Sequence, residues 1–152
     1  MNPRAALCLG LAFALLVAAA GRARADVGPS RQVTLFGIVA VPGGTAVDPK
    51  LSKVAPQLRK LLPGHEFRLL GVKSRRLAVG ETMRCDLGAG LNAEAGLLDA
   101  QDADAKVDLR IALDQDGAPL IVTDVATPPN QLFFCDKRLP DGSRLVIGVG
   151  AR

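Results

Sequence analysis

Cys135 is the side chain in this sequence with the most obvious capacity for chemistry. It follows two phenylalanines in "QLFFCDKRLPDG", and Lys137 and Arg138 come just after Asp136. A nucleophilic thiol must be favoured as thiolate by a cationic, partly exposed setting. The two basic residues would supply that setting, or would simply mark a solvated turn. Cys85 offers the competing role, a mate. In "ETMRCDLG", Met83, Cys85 and Leu87 alternate with Thr82, Arg84 and Asp86, the period of a strand with one buried face. Cys135 shares a face with Phe133 in the same way. Both thiols then point inward, and they meet if their strands are neighbours. The expectation is a structural disulfide between Cys85 and Cys135, closing a loop of about fifty residues and stabilising the fold by about 4 kcal/mol. Two buried free thiols, or a redox or metal role, are the alternatives. No C-x-x-C motif is present.

His65 is the only histidine. A serine or cysteine hydrolase needs a base within reach of its nucleophile, so His65 would have to serve Cys135 or one of Ser30, Ser52, Ser74 and Ser143. None of these serines lies in G-x-S-x-G. The position of His65 in "PGHEF", after a helix stop, reads better as a turn residue entering a strand. One histidine cannot build the common zinc sites that use two or three. Asp99, Asp102, Asp104 and Asp108 crowd "DAQDADAKVD". Carboxylate oxygens bind calcium, but the glycine and terminal glutamate of an EF-hand loop are missing, and a solvated acidic loop is the better reading. Paired carboxylates also hydrolyse glycosides. With no Trp and no Tyr in the chain, the usual sugar-stacking platforms are absent. No catalytic residue, metal site or cofactor is expected.

These side chains must be positioned by a framework that reads as mostly strand. "QVTLFGIVAV" (32–41) is β-branched and apolar on both faces, a buried strand. Leu51, Val54, Ala55, Leu58, Leu61 and Leu62 fall on one face of a helix. Asp48 is its N-cap, Pro49 its first residue, and Pro63-Gly64 its stop. Pro56 interrupts this pattern. Either the helix bends there, or a short turn precedes a second helix starting near Pro56. Residues 66–72, 76–80 and 95–101 read as strands. Residues 106–126 read as a hairpin turning at Asp116-Gly117, and 130–150 as another turning at Asp141-Gly142. The fold class is α+β: mainly antiparallel β, with seven or eight strands in a sheet or sandwich, and one amphipathic helix near the start of the domain.

The chain opens with Arg4, an apolar run from Ala5 to Ala20, and the small-x-small site Ala23-Arg24-Ala25. That order reads as a secretory signal peptide, residues 1–25, cut before Asp26; the run is short for a membrane span. An N-terminal lead (26–31) and one globular domain (32–152) follow. Cleavage removes Cys8 and three of nineteen basic residues, leaving sixteen against fifteen acidic, so formal +4 becomes +1. The basic character of the full chain therefore says little about partners.

Charge is unevenly placed instead. Lys50 to Arg84 holds nine basic residues against Glu66 and Glu81, and Cys85 to Asp136 holds ten acidic residues against Lys106 and Arg110. Laid side by side in the fold these would satisfy one another. Otherwise they leave a basic face, for which Arg59, Arg68, Lys73, Arg75 and Arg76 are the partner-binding candidates. The reading is an exported, periplasmic or secreted, non-enzymatic module of bacterial type. It would act through that face or through a sheet edge. Its expected partner is a protein or an anionic envelope component. Nucleic acid is not expected, since no aromatic residues interleave the basic ones, and membrane contact is expected only through the cleaved leader. The rival is a small extracytoplasmic enzyme, thiol-based or hydrolytic.

Overall fold

The computed structural model describes residues 28–152. The expected leader and its cleavage site lie outside them. Eight strands form two four-stranded antiparallel sheets. They are β1 (Ser30–Pro42), β2 (His65–Ala78), β3 (Thr82–Gly88), β4 (Leu91–Asp99), β5 (Val107–Gln115), β6 (Ala118–Thr127), β7 (Leu132–Arg138) and β8 (Arg144–Ala151). The first sheet runs β2-β1-β8-β7 and the second β3-β4-β5-β6. β2 packs beside β3, and β6 beside β7. Around the perimeter the order is therefore the chain order, with β8 pairing back onto β1. This is an up-and-down meander, flattened so that its ladder breaks at β2/β3 and at β6/β7. The α+β, mainly antiparallel expectation holds, and both hairpins turn where their Asp-Gly pairs stand.

Patterning explains which strands go where. β3 and β5 alternate strictly: Met83, Cys85 and Leu87, and Val107, Leu109, Ile111 and Leu113, are buried between exposed or half-buried neighbours. Their sheet has one face to water. β1 and β8 are apolar on both faces because both are covered. Val33, Leu35, Leu145, Ile147 and Val149 enter the inter-sheet core. Phe36, Ile38, Ala40 and Val146 form a second core on the outer face, with Leu51, Leu58 and Phe67. The lid over that second core is helical but broken. Asp48 caps a single 3-10 turn (Pro49–Leu51), its Oδ1 accepting from the Lys50 N–H at 2.9 Å. The helix α1 (Ala55–Leu61) then starts afresh. Pro56 sits in its first turn, where a missing N–H leaves nothing unsatisfied. The two-piece form is the one adopted, and Leu61, at the end of α1, is 40% exposed.

Three expectations needed adjusting. The strands read as 66–72 and 76–80 are one strand, β2, because its polar stretch continues the ladder with β1 without burying a face. β1 starts at Ser30, inside the expected lead, since Ser30 and Arg31 pair with Ala78 and Leu77. The turn between β3 and β4, at Ala89-Gly90, went unread because Ala89 adopts a positive φ of 53°, which alanine does not advertise.

The β2/β3 seam closes by close contact. A Cβ on Gly71 would lie 2.8 Å from the carbonyl oxygen of Asp86, so only glycine lets β3 approach. We expect Gly71→Ala to destabilise the fold by about 1–3 kcal/mol, the range for overpacking. The reading is a lower urea midpoint at unchanged slope. An unchanged midpoint would mean that this contact does not close the seam.

Candidate functional site

The expected bridge does not form. Both thiols are free, and topology explains why. Cys85 is on β3 and Cys135 on β7, which are opposite edges of opposite sheets, four strands apart in either direction around the perimeter. Alternation correctly turned both side chains inward. The error was to take their strands as neighbours, which hairpin patterning does not specify. Neither thiol is activated. Burial pushes Cys135 up to about 11, with the adjacent Asp136 charge adding to it. Burial also raises Cys85, against the pull of Lys73 and with the push of Asp86. Lys137 and Arg138 lie exposed at the end of β7 and do not figure among the charges acting on Cys135.

The remaining catalytic candidates are dispersed. His65 opens β2, with Nδ1 3.1 Å from the Pro63 carbonyl oxygen. Ser74 lies nine residues further along the same strand, about 30 Å away. Its hydroxyl is bonded to Gln32 and Thr34. Ser143 is tied into the β7–β8 turn by Asp141. The aspartates do turn work. Asp102 Oδ1 accepts the N–H groups of Asp104 and Lys106 at 2.8 Å each, and Asp99 accepts that of Gln101. The Lys106 hydrogen bond leads the causes that hold Asp102 below the usual carboxylate range. Loss of water and the neighbouring Asp102 charge raise Asp108. Among the described residues, no three His, Cys, Asp or Glu side chains group to hold a metal ion.

The basic candidates are brought together, and their setting is specific. Arg68, Lys73, Arg75 and Arg76 all lie exposed on β2; Arg59 stands apart, exposed on the last turn of α1. β2 is an edge strand that pairs only with β1, apart from one parallel bridge near its start. There Phe67 donates to Ala46 and accepts from Asp48, each at 2.9 Å. From Gly71 to Arg76, no backbone group bonds to any backbone other than that of β1, among the described residues. The Lys73 ammonium donates to the Arg84 carbonyl at 2.8 Å, and Arg76 Nε to the Ser30 hydroxyl at 2.8 Å. These are neutral acceptors, so both positive charges remain unbalanced.

The acidic residues do not come over to neutralise this strand. Among the described residues the ion pairs are Arg84–Asp114, Arg110–Asp124 and Arg144–Asp136, none of which involves the four β2 cations or Arg59. Among nearby carboxylates, Glu81 accepts the Ala78 N–H, Asp86 that of Gly88 and Asp48 that of Lys50; Glu66 lies exposed at the start of β2 itself. No ion pair therefore balances the four β2 cations, among the described residues. The free backbone edge was missed by sequence reasoning. Its signal is the unalternating polar run Lys73-Ser74-Arg75-Arg76, a strand segment with no face to bury. Also missed was an open groove of about 860 Å³ on the outer face of the first sheet, lined by Gln32, Thr34, Phe36, Lys53, Gln57 and Arg152 among others.

Because the Cys135 thiol is raised to about 11, its thiolate fraction at neutral pH is small and grows tenfold per pH unit until pH approaches that value. Labelling of native protein with a disulfide reagent should be slow at pH 7 and accelerate on that slope. Cys85 and Cys135 should both react at once on denaturation without reductant. Fast labelling at pH 7 would contradict this picture.

No family model matches this chain, and no curated protein or solved structure matches it either.

Proposed function

We propose that this chain is an exported, non-enzymatic binding module of the bacterial envelope or extracellular space, working through the cationic edge formed by β2. The observation that carries the reading is the row Arg68, Lys73, Arg75 and Arg76, exposed on one edge strand with no carboxylate in ion-pair distance among the described residues. Unbalanced surface charge of one sign attracts a partner of the other and speeds its encounter. The export half of the proposal rests on the leader pattern in residues 1–25. The interior supports a surface function. The space between the sheets is filled by Val33, Leu35, Leu109, Ile111, Ile147 and their neighbours, all fully buried, so partner contact falls to the outside.

The test uses fluorescently labelled poly-glutamate as an anionic probe. Wild-type protein should bind it at low salt and release it as added salt screens the charges beyond about 8–10 Å. Replacing all four β2 cations by glutamine should remove most of the affinity. Each cation contributes about 1 kcal/mol near an anionic surface, or about fivefold per residue. Replacing Arg110 and Arg144, which already have carboxylate partners, should change it little. Equal losses in both variants would sink the assignment to β2.

A further inference from the structure

We infer that the ligand of the β2 edge is an acidic polypeptide segment in extended form, which adds to the first sheet as a strand beside β2. This deepens the reading of β2 as a cationic binding surface and rests on it. Two properties coincide here. The unpaired backbone from Gly71 to Arg76 needs donors and acceptors in strand register. The side chains flanking that backbone are Lys73 and Arg75 on one face, and Ser74 and Arg76 with the exposed Val72 on the other. Side chains on one face of a strand repeat at about 6.6–6.8 Å, and a paired strand has the same repeat. A neighbour with aspartate or glutamate at alternate positions thus meets Lys73 and Arg75 in step, and opposite charges across a strand pair stabilise it. A compact anion would neutralise the charges but leave the backbone row unpaired.

The edge already accepts backbone. Val47 forms a parallel bridge with Phe67, and the Ala46 carbonyl and Asp48 N–H complete it. That strap ends at Phe67, and between it and the free stretch lies the register shift that sets Gly71 opposite Gly37 and Leu69 opposite Ile38, with Leu70 between them. β3 meets Gly71 on the side a Cβ would occupy, so the stretch offered to a partner in the plane of the sheet is taken as Gly71 to Arg76, and the incoming segment is about six residues long. The cations also select against wrong partners. A second copy of β2 would set Lys73 and Arg75 against like charges, which is unfavourable. The other edges lack this character. Arg84 on β3 is held by Asp114, Asp124 on β6 by Arg110, and Asp136 on β7 by Arg144.

The experiment titrates the protein with a labelled peptide of alternating glutamate and valine. It is compared with the same peptide N-methylated at every second amide, and with phosphatidylglycerol vesicles. The alternating peptide should bind, N-methylation should weaken it at least tenfold, and amides between Gly71 and Arg76 should gain exchange protection. Arg75→Gln with Lys73→Gln should reduce binding at least tenfold. Binding that ignores N-methylation and protects no amide overturns strand addition while leaving the cationic surface standing. Vesicle binding without peptide binding does the same, and makes lipid the partner. Failure of every anionic probe overturns the surface reading as well.

Discussion

The ladder between β1 and β8 is the constraint on which the rest of the molecule depends. It joins the beginning of the described chain to its end, from Val33 with Ala151 to Ala40 with Arg144, and so converts a linear meander into a closed perimeter. Closing it places β1 and β8 at the centre of one sheet, where both faces must be covered. One face is covered by the second sheet and the other by the 3-10 turn and α1. A glycine of β8 permits the latter packing: a Cβ at Gly148 would lie only 2.3 Å from the Phe36 ring. Phe36 in turn meets Phe134 edge-on, with centroids 6.0 Å apart, so the outer core reaches across to β7. Closing a perimeter from pairings this distant in sequence is slow in folding terms.

The same closure produces the candidate site. With β1 central, β2 is pushed to the edge, and its second half from Val72 has little face to bury. A sheet edge that is exposed and apolar invites aggregation, and natural sequences guard it with charge. Here the guard from Lys73 to Arg76 has one sign and no ion-pair partner among the described residues, which makes it a selector as well as a guard. The acidic residues gather instead on the second sheet and its turns. There they cap loops and pair with Arg84 and Arg110. The charge segregation visible along the chain therefore survives in three dimensions.

Much of this was legible in the sequence, and the losses have definite causes. Period-two alternation set Met83, Cys85 and Leu87, and Val107 to Leu113, toward the core. Two Asp-Gly pairs announced two hairpins. The doubly apolar β1 announced a strand covered on both faces. Alternation tells which way a side chain points, however, and not which strand lies opposite. That is why Cys85 and Cys135 were rightly turned inward and wrongly joined. Pro56 left two helical forms open, and packing of Leu51 and Leu58 onto one sheet face is met by two short pieces in sequence. The five basic candidates were named without knowing that four of them share an edge. Clustering was visible in the sequence; the unpaired backbone was not, because it depends on which strand closes the perimeter.

The most direct test of the central claim is amide hydrogen exchange across β2 in the free protein, residue by residue. Amides of β2 that bond to β1 should be strongly protected. Between Gly71 and Arg76 they should alternate with amides that exchange near the rate of an open chain, and the bridged Phe67 amide should be slow. Uniform protection from Phe67 to Arg76 would mean that the edge is already occupied, and the account of β2 as an open binding strand would be wrong.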